Sequence, residues 1–173
     1  DGDLSLYSGS YRAAETTFNM LTQVVGRAGR GEDPGTAMIQ TLVPEHQVLN
    51  LAARQDYDGF YELEIKLRQM QNLPPFGDLV SITFTGQEET QVLRGAAKFR
   101  DSLVQCMKMP PYHQDGCTVL GPAPCPVPKI NYHFRYRLTL RCRQTKKLRQ
   151  LIAHLLRQFG TDKANRGISA FAD

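Results

Sequence analysis

"NLPPFGDLVSITFTG", Asn72 to Gly86, is a stop followed by a strand. Two consecutive prolines and a Phe-Gly pair end any helix before them, because proline lacks an N–H and pushes the preceding residue out of helical geometry. From there Leu79, Ser81 and Thr83 alternate with Val80, Ile82 and Phe84. A period of two predicts a half-buried β-strand, with a separate unit starting at about residue 77.

Downstream the pattern is regular. Residues 88–108 carry Val92, Leu93, Ala96, Phe99, Leu103, Val104 and Met107 at helical spacing. "CTVLG" (117–121) reads as a short strand and 131–143 as a longer one. Residues 146–159 place Leu148, Leu151, Ile152, Leu155, Leu156 and Phe159 in a single helical stripe, and "GISAFAD" closes as a last strand. The order β-α-β-β-α-β is the ferredoxin-like arrangement, and the fold class is α+β.

Upstream, residues 14–28 predict a helix with Phe18, Leu21 and Val25 inward. "GTAMIQTLVP" (35–44) reads as a short buried strand between a Gly turn and a Pro stop. Helices are expected over 45–55 and 58–71, the second with Phe60, Leu63 or Glu64, and Leu67 on one face. Three parts follow: 1–44, a helical connector 45–76, and 77–173.

The chain has 173 residues and 41% hydrophobic content, enough for one ordinary core, or one small domain plus a piece of another. No apolar run is long enough to span a bilayer, so no membrane association is expected. "DGDLSLYSGSYR" has neither the basic nor the apolar region of a signal peptide and no initiator Met, so a cytoplasmic fragment of a longer protein is expected. Cys106, Cys117, Cys125 and Cys142 include no C-x2-C pair, which argues against a zinc site and for free, mostly buried thiols.

The net charge of +4 is unevenly placed. Between Lys129 and Arg157 stand nine basic residues and no Asp or Glu. A one-signed block of that kind suits a polyanion or an acidic peptide. Within it, "FRYRLTLRCR" puts Phe134, Tyr136, Leu138, Leu140 and Cys142 on one strand face and Arg135, Arg137, Thr139, Arg141 and Arg143 on the other. Residues i and i+2 lie roughly 6.5–7 Å apart, close to the phosphate spacing of an extended nucleic acid. Such a row neutralises phosphates without reading sequence. The alternatives are a solvated outer face that blocks aggregation and a surface for acidic helices. The next helix opens with Lys146, Lys147 and Arg149, the end where its dipole disfavours cations. Either these residues receive an acidic tail or a phosphate, or the local cost is tolerated.

"QVVGRAGR", Gln23 to Arg30, sets Gln23, Arg27 and Arg30 at i, i+4 and i+7, one face of a helix. Two guanidinium groups there can hold a phosphate bidentately. An ordinary surface helix ending in a Gly-rich turn fits the spacing as well.

Taken together, "SYRAAETTFNMLTQVVGRAGRGEDPGTAMIQTLVPEH" (10–46), "LPPF" (73–76) and "VLGPAPCPVPK" (119–129) resemble the primosomal protein N′ family, superfamily 2 DNA helicases of bacterial replication restart. "QVVGRAGR" alone fits many such helicases, whereas its combination with "LGPAPCPVPK" is far more specific. The chain ends "SAFAD" where the family commonly has an acidic D-V-D/N-P tail, so the last strand aligns least surely. No phosphate-cradling G-x4-G-K-[ST] loop and no DExH-type box occurs in these residues.

The resemblance implies that 1–44 end a RecA-like motor lobe. Gln23, Arg27 and Arg30 would then be helicase motif VI, facing ATP and Mg2+ in the full-length protein, with Arg27 and Arg30 as catalytic arginine fingers. Residues 77–173 would be the C-terminal domain. Lys129, Arg135, Arg137, Arg141 and Arg143 are then assigned to forked or single-stranded DNA. Lys146, Lys147 and Arg149 are assigned to the acidic tail of the single-stranded-DNA-binding protein, and charge alone also permits the reverse. Other primosome proteins are implied partners, zinc is implied upstream, and the fragment alone is expected to bind no cofactor and to hydrolyse no ATP. The competing reading is a non-catalytic docking module with a basic sheet face.

Overall fold

A nine-residue antiparallel ladder, from Asp78↔Cys142 to Gly86↔Phe134, joins β1 (Asp78–Gly86) to β3 (His133–Cys142). The computed structural model containing it describes residues 2–28, 35–113 and 116–173. The chain falls into two compact units that divide between Gln71 and Asn72, ahead of the proline pair rather than after it.

In the second unit the elements run β1, α4 (Glu89–Met107), β2 (Thr118–Ile130), β3, α5 (Lys146–Thr161) and β4 (Ile168–Ala172). They make an α+β unit with a four-stranded antiparallel sheet in the order β2-β3-β1-β4. Val80, Ile82 and Phe84 of β1 and Leu138, Leu140 and Cys142 of β3 point to one side and are buried there against Val92, Phe99 and Leu103 of α4 and Leu148, Leu151 and Leu155 of α5. Phe84 meets Phe99 and Phe159 edge-on at 5.3 and 5.4 Å between centroids, an arrangement the aromatic quadrupole favours. Thr145 caps α5 by accepting the Leu148 N–H at 3.1 Å.

β2 is longer than the expected "CTVLG" strand. The four prolines at 122, 124, 126 and 128 look like a break, yet they occupy alternate positions of an edge strand, where donors are dispensable. Gly121, at φ +101°, lets the strand bulge over β3, because a Cβ there would lie 2.7 Å from the Arg137 carbonyl oxygen.

The first unit comprises α1 (Ala13–Ala28), α2 (Gln47–Ala53) and α3 (Tyr57–Met70). Phe18, Leu21, Val48, Leu49, Ala52 and Phe60 form one small core, so the segments read as a lobe end and a connector share it. Phe18 stacks on Phe60 with centroids 4.2 Å apart. One turn and then another along α3, Arg68 donates to Glu64 at 2.8 Å and to Glu15 of α1 at 2.9 Å, with its guanidinium over the Tyr11 ring. These contacts set the rotation of α3. Leu67, expected inward, is consequently exposed.

Residues 35–44 are not the expected buried strand. Met38 and Leu42 are almost fully exposed. Gly2 N–H donates to the Gln40 carbonyl and Leu42 N–H to Asp3 Oδ2, but no strand ladder forms there among the described residues. An apolar run becomes a strand only when another strand pairs with it. The free thiols are split: Cys125 and Cys142 are buried, Cys106 and Cys117 half-buried.

Phe84→Ala is expected to cost about 3–5 kcal/mol, the usual loss for truncating a fully buried aromatic. Urea unfolding followed by near-UV circular dichroism of the second unit measures it, and a loss below about 1 kcal/mol would contradict this packing.

Candidate functional site

Two helices, α4 and α5, cover one face of the sheet, and the strand period hands the other face the polar set. β3 lies between β1 and β2, so Arg137 and Arg141 have a ladder partner on both sides and Arg135 has one on the β1 side. Arg141 sits between Leu79 and Thr118, Arg137 between Thr83 and Ala123, and Arg135 beside Thr85. None of these neighbours carries a charge. Among the described residues no ion pair engages Arg135, Arg137 or Arg141. All three are half-buried; a long cationic side chain in that setting characteristically buries its stem and keeps its charged end in water. Three unpaired guanidinium groups in line form a cationic track whose natural complement is a chain of phosphates.

The structure does not bring every expected residue to this face. Lys129 stands opposite Phe134 in the ladder, and its ammonium lies over that ring at 4.2 Å from the centroid. Phe134 belongs to the face opposite the arginines, so Lys129 is spent on a cation–π contact away from the row. Arg143 is exposed just beyond the last residue of β3.

Lys146, Lys147 and Arg149 are exposed in the first turn of α5, which contains no acidic residue. Arg149 also borders a shallow groove of 270 Å³ lined by Val80, Ile152, Leu156 and Ala172, and Asp173 lines it as well. An apolar lining bordered by one cation and one carboxylate fits a short peptide that carries an apolar side chain.

In the first unit, Gln23 and Arg27 lie one turn apart on the exposed face of α1, alongside the exposed Met20 and Val24. Arg27 is in the last turn, where the helix dipole suits a cation. Arg30, expected on the same face, lies outside the described residues. Tyr11, Arg12 and Glu15, quoted for the family resemblance, act structurally. Tyr11 takes the guanidinium of Arg12 at 5.3 Å and that of Arg68 at 5.4 Å, while Glu15 ties α1 to α3.

One residue on the arginine face was missed in the sequence. Phe171 of β4 pairs with Thr83 and is 43% exposed. The signal was its odd-numbered parity in "GISAFAD", opposite to that of the inward Ile168 and Ala170.

Residues 69–173 match the family model described as the primosomal protein N C-terminal domain. The chain is 33% identical over 158 residues to a protein of Bacillus subtilis named replication restart protein PriA, covering 91% of this chain and 19% of that protein. It is 37% identical over 139 residues to the Synechocystis protein of the same name, covering 80% of this chain and 16% of that one. A Rickettsia conorii relative, again so named, is 31% identical over 140 residues, covering 81% of this chain and 20% of its own length. The chain thus spans about a fifth of the length of the curated relatives it matches.

Because its charge is already engaged, Lys129→Ser is expected to leave DNA affinity within about twofold, whereas one arginine of the row removed should cost about one phosphate contact. Anisotropy titrations of the two variants side by side check the difference. An equal loss would put Lys129 back in the row.

Proposed function

The chain belongs to the primosomal protein N C-terminal domain family, and from that membership we propose that it is the trailing part of an ATP-dependent 3′-to-5′ DNA helicase that restarts stalled replication forks and begins primosome assembly. The observation that carries the DNA-binding reading is the row Arg135, Arg137 and Arg141, without an ion pair among the described residues, on the sheet face opposite α4 and α5. On this reading the second unit is a ferredoxin-like domain. Its strand order, with β3 inserted between β1 and β2, supports that assignment. It holds forked or single-stranded DNA beside the motor, by phosphate contacts that position without reading sequence. Arg143 extends the row.

The first unit is then the end of a RecA-like lobe. Gln23 and Arg27 suit a nucleotide phosphate in charge and exposure, since no carboxylate among the described residues pairs with Arg27. ATP with Mg2+ supplies the phosphoryl group to be transferred. Arg27 and Arg30 place positive charge where the γ-phosphoryl oxygens become more negative, and Gln23 hydrogen-bonds at the same site. Such a protein works in the cytoplasm among primosome partners. Zinc belongs to another part of the longer protein.

A second reading concerns the groove beside Arg149. With Lys146 and Lys147 nearby in sequence, it suits the acidic tail of the single-stranded-DNA-binding protein, a docking role that needs no catalysis.

Changing Arg135, Arg137 and Arg141 together to Ser is expected to lower the magnitude of the slope of log K against log salt by about 2, at roughly 0.7 per single-strand phosphate. Fluorescence anisotropy of labelled single-stranded DNA at several salt concentrations measures it; an unchanged slope would move the DNA elsewhere. In the full-length protein, Arg27→Lys keeps the charge but loses the planar fork. Steady-state ATP turnover should fall at least about a hundredfold, given that such a finger is worth roughly 10³–10⁵. Near-normal turnover would remove Arg27 from the nucleotide site.

A further inference from the structure

We propose that Phe171 is a stacking platform for an unpaired base, and that it makes the arginine face selective for single-stranded over duplex DNA. The proposal rests on the nucleic-acid reading of that face and adds a residue and a selectivity to it.

The placement follows from the sheet register. Ile168 and Ala170 pack against the core, so alternation puts Ser169 and Phe171 on the opposite face. Across the strands, Phe171, Thr83, Arg137 and Ala123 form one row. Thr83 is 5% exposed, covered between its larger neighbours, while Phe171 itself is 43% exposed. The other strand aromatics are committed to the opposite face. Phe84 is fully buried, Phe134 lies under the Lys129 ammonium, and Tyr136 donates its hydroxyl to Glu89 at 2.7 Å. Phe171 is therefore the strand aromatic that shares a face with Arg135, Arg137 and Arg141.

A lone exposed phenylalanine is ordinary. One set in a row with unpaired guanidinium groups is not simply hydrophobic surface. Its backbone is two strand spacings, roughly 10 Å, from that of Arg137, and a long arginine side chain reaches over part of that gap. A base laid on the ring leaves its backbone phosphates within reach of Arg137 and of Arg135, one row along. Groups that combine a cationic track with an aromatic ring bind single strands regardless of sequence, because every base has a π-face. A duplex keeps its bases stacked inside and offers the ring none, so it meets only the arginines.

The chain has no tryptophan, so F171W introduces a single reporter at the site. It would be titrated with an oligothymidylate of about twenty nucleotides and with a blunt duplex of similar length, while anisotropy follows binding in parallel. The expected result is fluorescence quenched by the single strand and nearly unaffected by the duplex. F171A should weaken single-strand binding about tenfold and leave duplex binding within about twofold. F171L, which keeps an apolar side chain but no ring, should match F171A, and melting curves of both should overlay that of the unaltered protein. Single-strand binding without quenching, or with F171A unaltered, overturns the stacking role while leaving the arginine reading intact. If the unaltered chain binds neither DNA at low salt, both fall.

Discussion

The pairing of β1 with β3 is the constraint on which the second unit depends. The ladder makes a single choice of parity. Val80, Ile82, Phe84, Leu138, Leu140 and Cys142 go inward, and Arg135, Arg137 and Arg141 go outward. A slip of one residue would turn β3 over, exposing its leucines and pressing three guanidinium groups onto α4 and α5. Each buried cation would then cost several kcal/mol without a partner. The same arginines that offer a surface to phosphate thus help to exclude the wrong register. One alternation thus sets both the buried face and the charged one.

The first unit rests on a different kind of contact. Its core is small, and the exposed Met20, Val24, Met38 and Leu42 show how little apolar surface three helices can enclose. Orientation comes instead from the Phe18–Phe60 stack and from Arg68, which bridges Glu15 and Glu64 under the Tyr11 ring. An arginine bound to two carboxylates fixes both distance and rotation, because its planar fork satisfies one acceptor on each side. That arrangement leaves Gln23 and Arg27 on the outer side of α1.

The parts of the chain whose periodicity is self-contained were legible. The stripes of α4 and α5 and the alternation of β1 and β3 state their buried faces without reference to anything else, and the structure buries those faces, with Leu93 of the α4 stripe left exposed at its margin. Segments whose conformation depends on a partner were not. "GTAMIQTLVP" has strand-like composition but forms no strand ladder among the described residues. β2 hides behind its prolines because only its position at the sheet edge makes them tolerable. α3 carries apolar residues at two rotations, and the ion pairs of Arg68, invisible to hydrophobic periodicity, choose between them. At the site, the arginine row was legible by the same alternation, whereas the contact of Lys129 with Phe134 needed the register between strands. Phe171 was unreadable for that reason too: its parity is plain in the sequence, but which other side chains stand in its row is not.

Edge strands raise a final physical question, since an open sheet face with uncovered edges invites another strand. β2 answers with prolines, which have no N–H to offer a newcomer. The face itself answers with charge, because a second sheet laid on it would have to desolvate three arginines. A polyanion faces no such obstacle, and it gains by releasing its counterions. The features that disfavour a second sheet on this surface are therefore compatible with the proposed nucleic-acid ligand. The groove beside Arg149 follows the opposite logic. There apolar side chains line the groove beside one cation, Arg149, and one carboxylate, Asp173, which suits a peptide whose apolar side chain can be buried. Two surfaces of one small sheet-and-helix unit are thus distinguished by charge, of one sign along the arginine row and of both signs beside the groove.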